Sequence, residues 1–570
     1  MRANLLAVPV LAALAASPVF AQAPPKGCDP DNGGITLSPG FCAGVFADNL
    51  GHARHMAVAP DGTVFVNTWS GRFFGNDKVP AGGYIVALRD TKGTGRADSI
   101  QRFGEPSESG AAGGTGIAVY NNFVYVEEKD RILRYALQAG LPSGAPQVVL
   151  SEMPIVGGHN MRAFIIDPKG NLFLTVGSAT NSCQQQDRQS KSPGVSPCVE
   201  LETRGGIWKY DANTLDQKFS PKERYAVGVR NGEAFAFDGA GRLYVAQHGR
   251  DQLSQNWPDK FTNEQSAELP AEEVFHLEAG GDYGWPYCYY DPAQRKKVLA
   301  PEYGGDGKAV GQCAEKKGNV ASFPAHWAPN AMLINQGTQF PAPYRGGMFI
   351  AFHGSWNRAP LPQQGFNVVY QPFKDGAAAG DYVVFADGFT GGVMDRATAA
   401  HRPTGLAMAQ DGTMYISDDK GGRIWRVQYV GDAATARIAA AAKPNATAAT
   451  APTRLDVAKL PLPRGVTRAR LVLGEKIFQG DAKEGTCAGC HGMNGEGTAG
   501  GSSLIAGAWL WSDGSVAGIT RTITNGVAEP KQTTGVMPPA GGTQISKSDI
   551  AAVAAYVWAI GHANDPKAKR

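Results

Sequence analysis

The chain has 570 residues, more than one ordinary domain accommodates. Lys and Arg total 54 against 51 Asp and Glu, a formal charge of +3 without a basic run, which excludes a nucleic-acid footprint. Its 73 glycines and 37 prolines, set between short apolar runs, point to turn-rich β structure.

Residues 1–23 read as a secretory signal peptide. Arg2 supplies the positive charge, residues 5–16 the apolar stretch, and Val19-Phe20-Ala21 or Ala21-Gln22-Ala23 the small-residue cleavage site. That stretch is too short to span a bilayer and no run of about 18 apolar residues follows, so an exported, periplasmic protein without a transmembrane segment is expected. Six of the eight cysteines fall as near neighbours: Cys28 with Cys42, Cys183 with Cys198, Cys288 with Cys313. Six cysteines allow fifteen pairings; in an oxidising compartment the three local bridges are expected.

Over residues 24–430 one unit recurs: an apolar strand, a turn on Asp, Asn or Gly, and a second alternating strand. It appears at 55–67, 116–126, 164–174, 236–245 and 406–416, with a degenerate copy at 344–352. A third strand follows each, at 84–88, 131–135, 206–210, 273–277, 366–370 and 423–427. The spacing exceeds the usual blade period of roughly 40–50 residues, so long insertions must separate the strands. Six such units predict an all-β six-bladed propeller, where a sandwich would not repeat one unit over so long a stretch.

Residues 431–463 turn to Ala, Thr and Pro and read as a linker. Residues 464–570 read as a second, smaller all-α domain. Helices are expected over 468–478 and through Ile550, Val553, Tyr556 and Val557, the latter capped by Ser546 or Ser548. Between them lies Cys487-Ala488-Gly489-Cys490-His491, the C-x-x-C-H spacing of covalent haem c attachment. Cys487 and Cys490 would bind the vinyl groups and His491 the iron. Zinc would need a second ligand pair, and no cysteine follows Cys490. For the sixth ligand, Met493 is too close to His491 to reach the opposite haem face. Met537, on the Pro-stiffened Gly535-Val536-Met537-Pro538-Pro539, is far enough along to wrap the haem, and His562 reads as a solvated tail residue.

Side chains ahead of each innermost propeller strand should converge on one mouth of the channel. The register offers Arg54 and His55, His159 and Asn160, Arg230 and Asn231, and His401 and Arg402. One such arginine would read as a surface ion pair; several at one register favour a bound polyanion.

Residues from about 54 to 427 also resemble the soluble quinoprotein sugar dehydrogenases, the sorbosone and pyranose branch more than the glucose branch. The stretches that carry the likeness include Gly158-His159, Val229-Arg230-Asn231-Gly232-Glu233, His248-Gly249-Arg250-Asp251 and Gly280-Gly281-Asp282-Tyr283-Gly284-Trp285-Pro286. Ala325-His326-Trp327, His353-Gly354-Ser355-Trp356-Asn357-Arg358 and His401-Arg402-Pro403 leading to Asp418-Asp419 complete the set. The resemblance implies a six-bladed propeller holding pyrroloquinoline quinone (PQQ) and calcium. Arg54, Arg230 and Arg402 would bind the cofactor carboxylates, with Asn160, Asn231 and His326 lining its pocket. The carbonyls of Gly249 and Arg250 would ligate Ca2+, and His159 would be the general base. Glu233 replaces a neutral amide of the glucose enzymes, and their cofactor-binding lysine lacks a clear counterpart, Gln336 being nearby. His353 to Arg358 reads equally as a tight structural turn or as a pocket element.

The sequence thus predicts an enzyme that oxidises a sugar or related aldehyde or polyol at PQQ and passes electrons through haem c to an external acceptor, a periplasmic cytochrome or membrane oxidase. The alternatives are a calcium-dependent propeller hydrolase or lactonase, or a non-catalytic binding propeller, either fused to an electron-transfer cytochrome.

Overall fold

The computed structural model describes residues 26–563 apart from 70–79, 105–113, 442–453 and shorter stretches, most of them between 481 and 544; the expected signal peptide lies outside the described residues. Six sheets, antiparallel but for the pairing of Leu141–Ser151 with Gln217–Lys218, carry the propeller, and the innermost strand of each lies against that of the next all the way round. These inner strands are His52–Val58, Ile117–Tyr120, Phe164–Ile166, Gly232–Phe237, Pro329–Ile334 and Pro403–Met408, numbered here as blades 1 to 6. Blade 6 is completed from the other end of the domain: Phe41–Ala47 pairs antiparallel with Ile424–Tyr429.

The turn residues account for the repeat. Asp61, Asp167, Asp238 and Asp411 each accept the N–H of the residue two positions on, at 2.8 to 3.0 Å, closing the hairpin between first and second strands. In blade 2 Asn121 and Asn122 do the same work with positive φ, 47° and 63°, as a two-residue hairpin requires. The third strands bury Trp208 and Trp425 completely between blades. Blade 5 departs from expectation. The copy expected at 344–352 holds only the second strand, Met348–Phe352; the inner strand lies further upstream, because the short helix Ala342–Tyr344 occupies the connection.

All three expected disulfides form. Both ends of the stretch expected as a linker are anchored: Ala441 N–H donates to Val384 O at 2.6 Å, and Leu460 is buried in the helical core.

In that domain helix Arg468–Gln479 crosses helix Lys547–Gly561 at Gly474, where a Cβ would sit 2.0 Å from the Ala552 carbonyl. Ser546 caps the last helix in a reciprocal pair with Asp549. His562 is not a solvated tail: its Nδ1 lies 2.8 Å from Trp558 O and its ring stacks on Trp558 at 4.2 Å. Among the described residues no helix is long and apolar enough to cross a membrane.

Candidate functional site

The inner strands are irregular near one mouth. A β-bulge interrupts the ladder at 54–55 in blade 1, at Glu233 in blade 4, at Asn330 in blade 5 and at Thr404 in blade 6. A bulge re-aims side chains, and here the bulged residues bond one another across the axis. Arg54 Nη2 donates to Glu233 Oε2 at 3.2 Å, His55 Nε2 lies 2.6 Å from Asn330 O, and Asn330 Nδ2 donates to Thr404 Oγ1 at 3.0 Å. Arg54 further reaches Thr115 Oγ1 at 3.0 Å, Met161 Sδ at 2.9 Å and Asp419 Oδ2 at 2.6 Å. Arg54 and His55, which sit within their strand and not ahead of it, therefore tie all six blades together. The Arg54 fork is engaged by protein carboxylates on both sides.

Above this layer two carboxylates organise the mouth. Asp251 Oδ2 accepts Arg230 Nη2 at 3.1 Å and Arg188 Nη2 at 3.0 Å, Asn357 Nδ2 donates to Oδ1, and His326 Nδ1 is 3.9 Å away. Asp419 Oδ1 meets His353 Nε2 at 2.8 Å. Burial alone would raise both carboxyls; Arg230 and Arg188 outweigh it at Asp251, and His353 and Arg54 at Asp419, holding both well below the usual range. Arg402 donates to the His353 and Gly354 carbonyls at 2.9 and 3.0 Å. Burial, then the neighbouring Arg396, push Arg402 down to about 9, against the opposing pull of Asp419.

His159 stands beside this cluster. Its Nδ1 is 2.9 Å from the Ser178 carbonyl, so Nδ1–H donates there and Nε2 keeps its lone pair. Burial and then Arg230 push the imidazole well below 6.5, which leaves it neutral at pH 7. The Oδ1 atoms of Asn160, Asn231, Asn330 and Asn357 are buried without a hydrogen-bond partner. The open amide oxygens call for hydrogen-bond donors, and the buried Arg230 and Arg402 beside them for anions, so the mouth fits a polar ligand that carries both.

Gly249 O accepts from Arg230 Nη1 at 2.8 Å while its N–H donates to Glu272 at 2.7 Å, an oxygen-rich corner in which a cation would compete with the guanidinium. The Arg250 side chain turns away to Glu302 at 2.5 Å. His326 Nε2 lies 2.8 Å from Ser266 O. Gln336 is at the wrong end: it reaches Phe237 O, at the far end of the blade 4 inner strand. The lysine near the mouth is Lys420, whose ammonium is pushed down by burial and by Arg402.

The second site is an apolar cavity in the helical domain, lined by Cys487, Cys490, His491, Met537, Trp509 and Ile523 among others. His491 Nδ1 is 2.8 Å from Ser502 O, which orients the ring and leaves Nε2 for a metal. Backbone bonds in both directions between Val527 and Met537, at 2.7 and 3.0 Å, pin the Met537 loop over the cavity. Thiols, imidazole, thioether and apolar walls fit a covalently held haem. Arg188 and Gln252 of the propeller line the same cavity.

Sequence reading missed Arg188, Asn330 and the roles of Asp251 and Asp419. The two aspartates stood in quoted motifs beside an arginine and an aspartate, a signal that could have found them; Arg188, inside a disulfide-closed insertion, gave none.

A family model described as TrAA12-like matches residues 35–430, and one described as cytochrome c oxidase, cbb3-type, subunit III matches residues 470–557. An uncharacterized protein of Borreliella burgdorferi is 28% identical over 275 residues, 48% of this chain and 61% of that protein. A pyrroloquinoline quinone-dependent pyranose dehydrogenase of Coprinopsis cinerea is 25% identical over 237 residues, 35% of this chain and 30% of that enzyme. The match thus spans less than two thirds of either relative's length. The holo structure of the Coprinopsis pyranose dehydrogenase PQQ domain superposes with TM-score 0.55 at 19% identity, covering 69% of this chain and 97% of that one. The calcium structure of a Trichoderma reesei family AA12 enzyme gives 0.53 at 18%, covering 70% and 97%. Both carry the same propeller fold.

Proposed function

Because the chain belongs to the TrAA12-like family over residues 35–430, we propose that it is a periplasmic quinohaemoprotein dehydrogenase. It oxidises a sugar (an aldose, a polyol or a sorbosone-like aldehyde) at PQQ in the propeller mouth and passes electrons to haem c in its own C-terminal domain. The observation that carries this reading is a neutral His159 beside Arg230 in a buried, cation-rich mouth whose rim also walls the C-x-x-C-H cavity. PQQ would supply the two-electron acceptor, and the Gly249 and Arg250 carbonyls are the groups that would hold Ca2+, whose chemistry there is that of a Lewis acid.

The protein's own groups do the rest. Arg230 and Arg402 hold carboxylates from the Asp251 and Asp419 sides, while Arg54, paired with Glu233 and Asp419, braces the layer beneath them. Asn160 and Asn231 offer their open amides, and His326 walls the Asp251 side. His159 Nε2 takes the substrate hydroxyl proton, a role its neutral state at pH 7 permits. Cys487 and Cys490 would hold the haem covalently, with His491 and Met537 as its protein ligands; a haem so ligated would supply one-electron transfer. Three disulfides support an extracytoplasmic location.

The test adds PQQ and Ca2+ to the haem-bearing protein and follows haem reduction spectrally across a sugar and aldehyde panel. Reduction by at least one substrate, dependent on PQQ, is expected. Haem that stays oxidised with every substrate, in protein shown to bind PQQ, would overturn the reading.

A further inference from the structure

The two domains meet backbone to backbone. Ser190 N–H donates to the Gly542 carbonyl at 2.6 Å, and a Cβ at Gly542 would lie 2.3 Å from the Arg188 carbonyl. No side chain fits there, so the contact is specific to glycine. Arg188 stands where the two sites adjoin. Its Nη1 donates to Gln252 Oε1 at 2.8 Å, and both residues wall the haem cavity beside Cys487, Cys490 and His491. Its Nη2 shares one Asp251 oxygen with Arg230, at 3.0 and 3.1 Å. A single carboxylate oxygen thus links the wall of the haem cavity to the mouth. The Cys183–Cys198 disulfide closes the loop that carries Arg188 and so fixes it at the rim.

We propose that segment 188–190 and loop 538–542 form the face through which electrons cross within this chain. Arg188 acts as a positioning residue that sets the Cys490 edge of the haem against the quinone mouth. The proposal rests on the quinohaemoprotein reading above. Each substrate molecule gives up two electrons and two protons. The protons leave by way of His159 and solvent; the electrons leave singly, reducing Fe(III) to Fe(II) twice. An external one-electron acceptor, ferricyanide in the test, reoxidises the iron in between. A face built on backbone hydrogen bonds and one charged bridge is polar enough to serve as a contact that can form and release.

The experiment uses the full chain loaded with haem and PQQ, as wild type, Gly542→Val and Arg188→Glu. Gly542→Val puts a side chain where the Arg188 carbonyl sits; Arg188→Glu sets like charges together at Asp251. Either should raise the radius of gyration in small-angle X-ray scattering. Stopped-flow haem reduction by substrate should slow on the order of 100-fold, the penalty of misplaced redox partners. The ascorbate-reduced spectrum should keep its wild-type form in both variants, and the haem potential its wild-type value in Gly542→Val, which leaves the charge unchanged. A variant that expands yet reduces its haem at the wild-type rate overturns the proposal, and so does unchanged scattering in both variants. If the wild type itself reduces its haem with no sugar, it is the function reading that falls. Scattering then still decides the face: expansion supports it and no expansion overturns it.

Discussion

His159 owes its chemistry to one hydrogen bond and its burial. The Ser178 carbonyl fixes the tautomer, and burial beside Arg230 disfavours the imidazolium, so Nε2 is a free base at neutral pH. His159→Gln keeps a side chain of similar reach but removes the base. Turnover should fall by about 10²–10⁴-fold with PQQ affinity unchanged, measured by steady-state dye reduction and cofactor titration. Retained turnover would remove His159 from the mechanism. His159, Arg230 and Arg402 were legible in the sequence because each lies just ahead of an inner strand, where the repeat register points. Asn330 was not, since a polar residue in an apolar strand reads as noise until the bulge that re-aims it is seen.

At the scale of elements, the Met537 loop shows what sequence spacing does and does not fix. Distance along the chain indicated that Met537 could reach the far side of a haem. It could not indicate the Val527–Met537 bridge that pins the loop after helix Val516–Asn525. Met537→Ala should abolish the weak near-infrared sulfur-to-iron band of the oxidised protein. It should also lower the haem potential by on the order of 100 mV, read by spectroelectrochemistry. An unchanged band and potential would exclude Met537 as ligand. The blades divide the same way. Strand and turn positions followed from Asp side chains closing hairpins, whereas the inner strand of blade 5 escaped because its connection is a helix and not an Asp turn.

For the whole molecule, the axial pair Arg54–His55 is the keystone, and it makes stability depend on acid. Burial lowers His55 from 6.5 to about 4, so between those values the unfolded chain binds a proton that the folded one refuses. The stability His55 contributes is fully present above pH 6.5 and is lost as pH falls toward 4. His55→Gln, which can still donate toward Asn330 O, should remove that dependence. Between pH 7.5 and 4.5 the wild type should lose on the order of 2 kcal/mol more unfolding free energy than the variant, measured in denaturant titrations. Parallel pH profiles would show that His55 does not titrate in this way.

The strand that completes blade 6 also sets the order in which this molecule can be made. Phe41 pairs with Tyr429, so an early strand among the described residues waits, apolar and unpaired, for the last strand of the propeller. A ring closed by so distant a contact cannot finish folding as it is threaded out, and it exposes a sticky edge until residue 429 has followed. Cys487 and Cys490 emerge only after that point. Haem attachment can therefore follow propeller closure, and a chain truncated before blade 6 would keep its opening strand as a seed for aggregation.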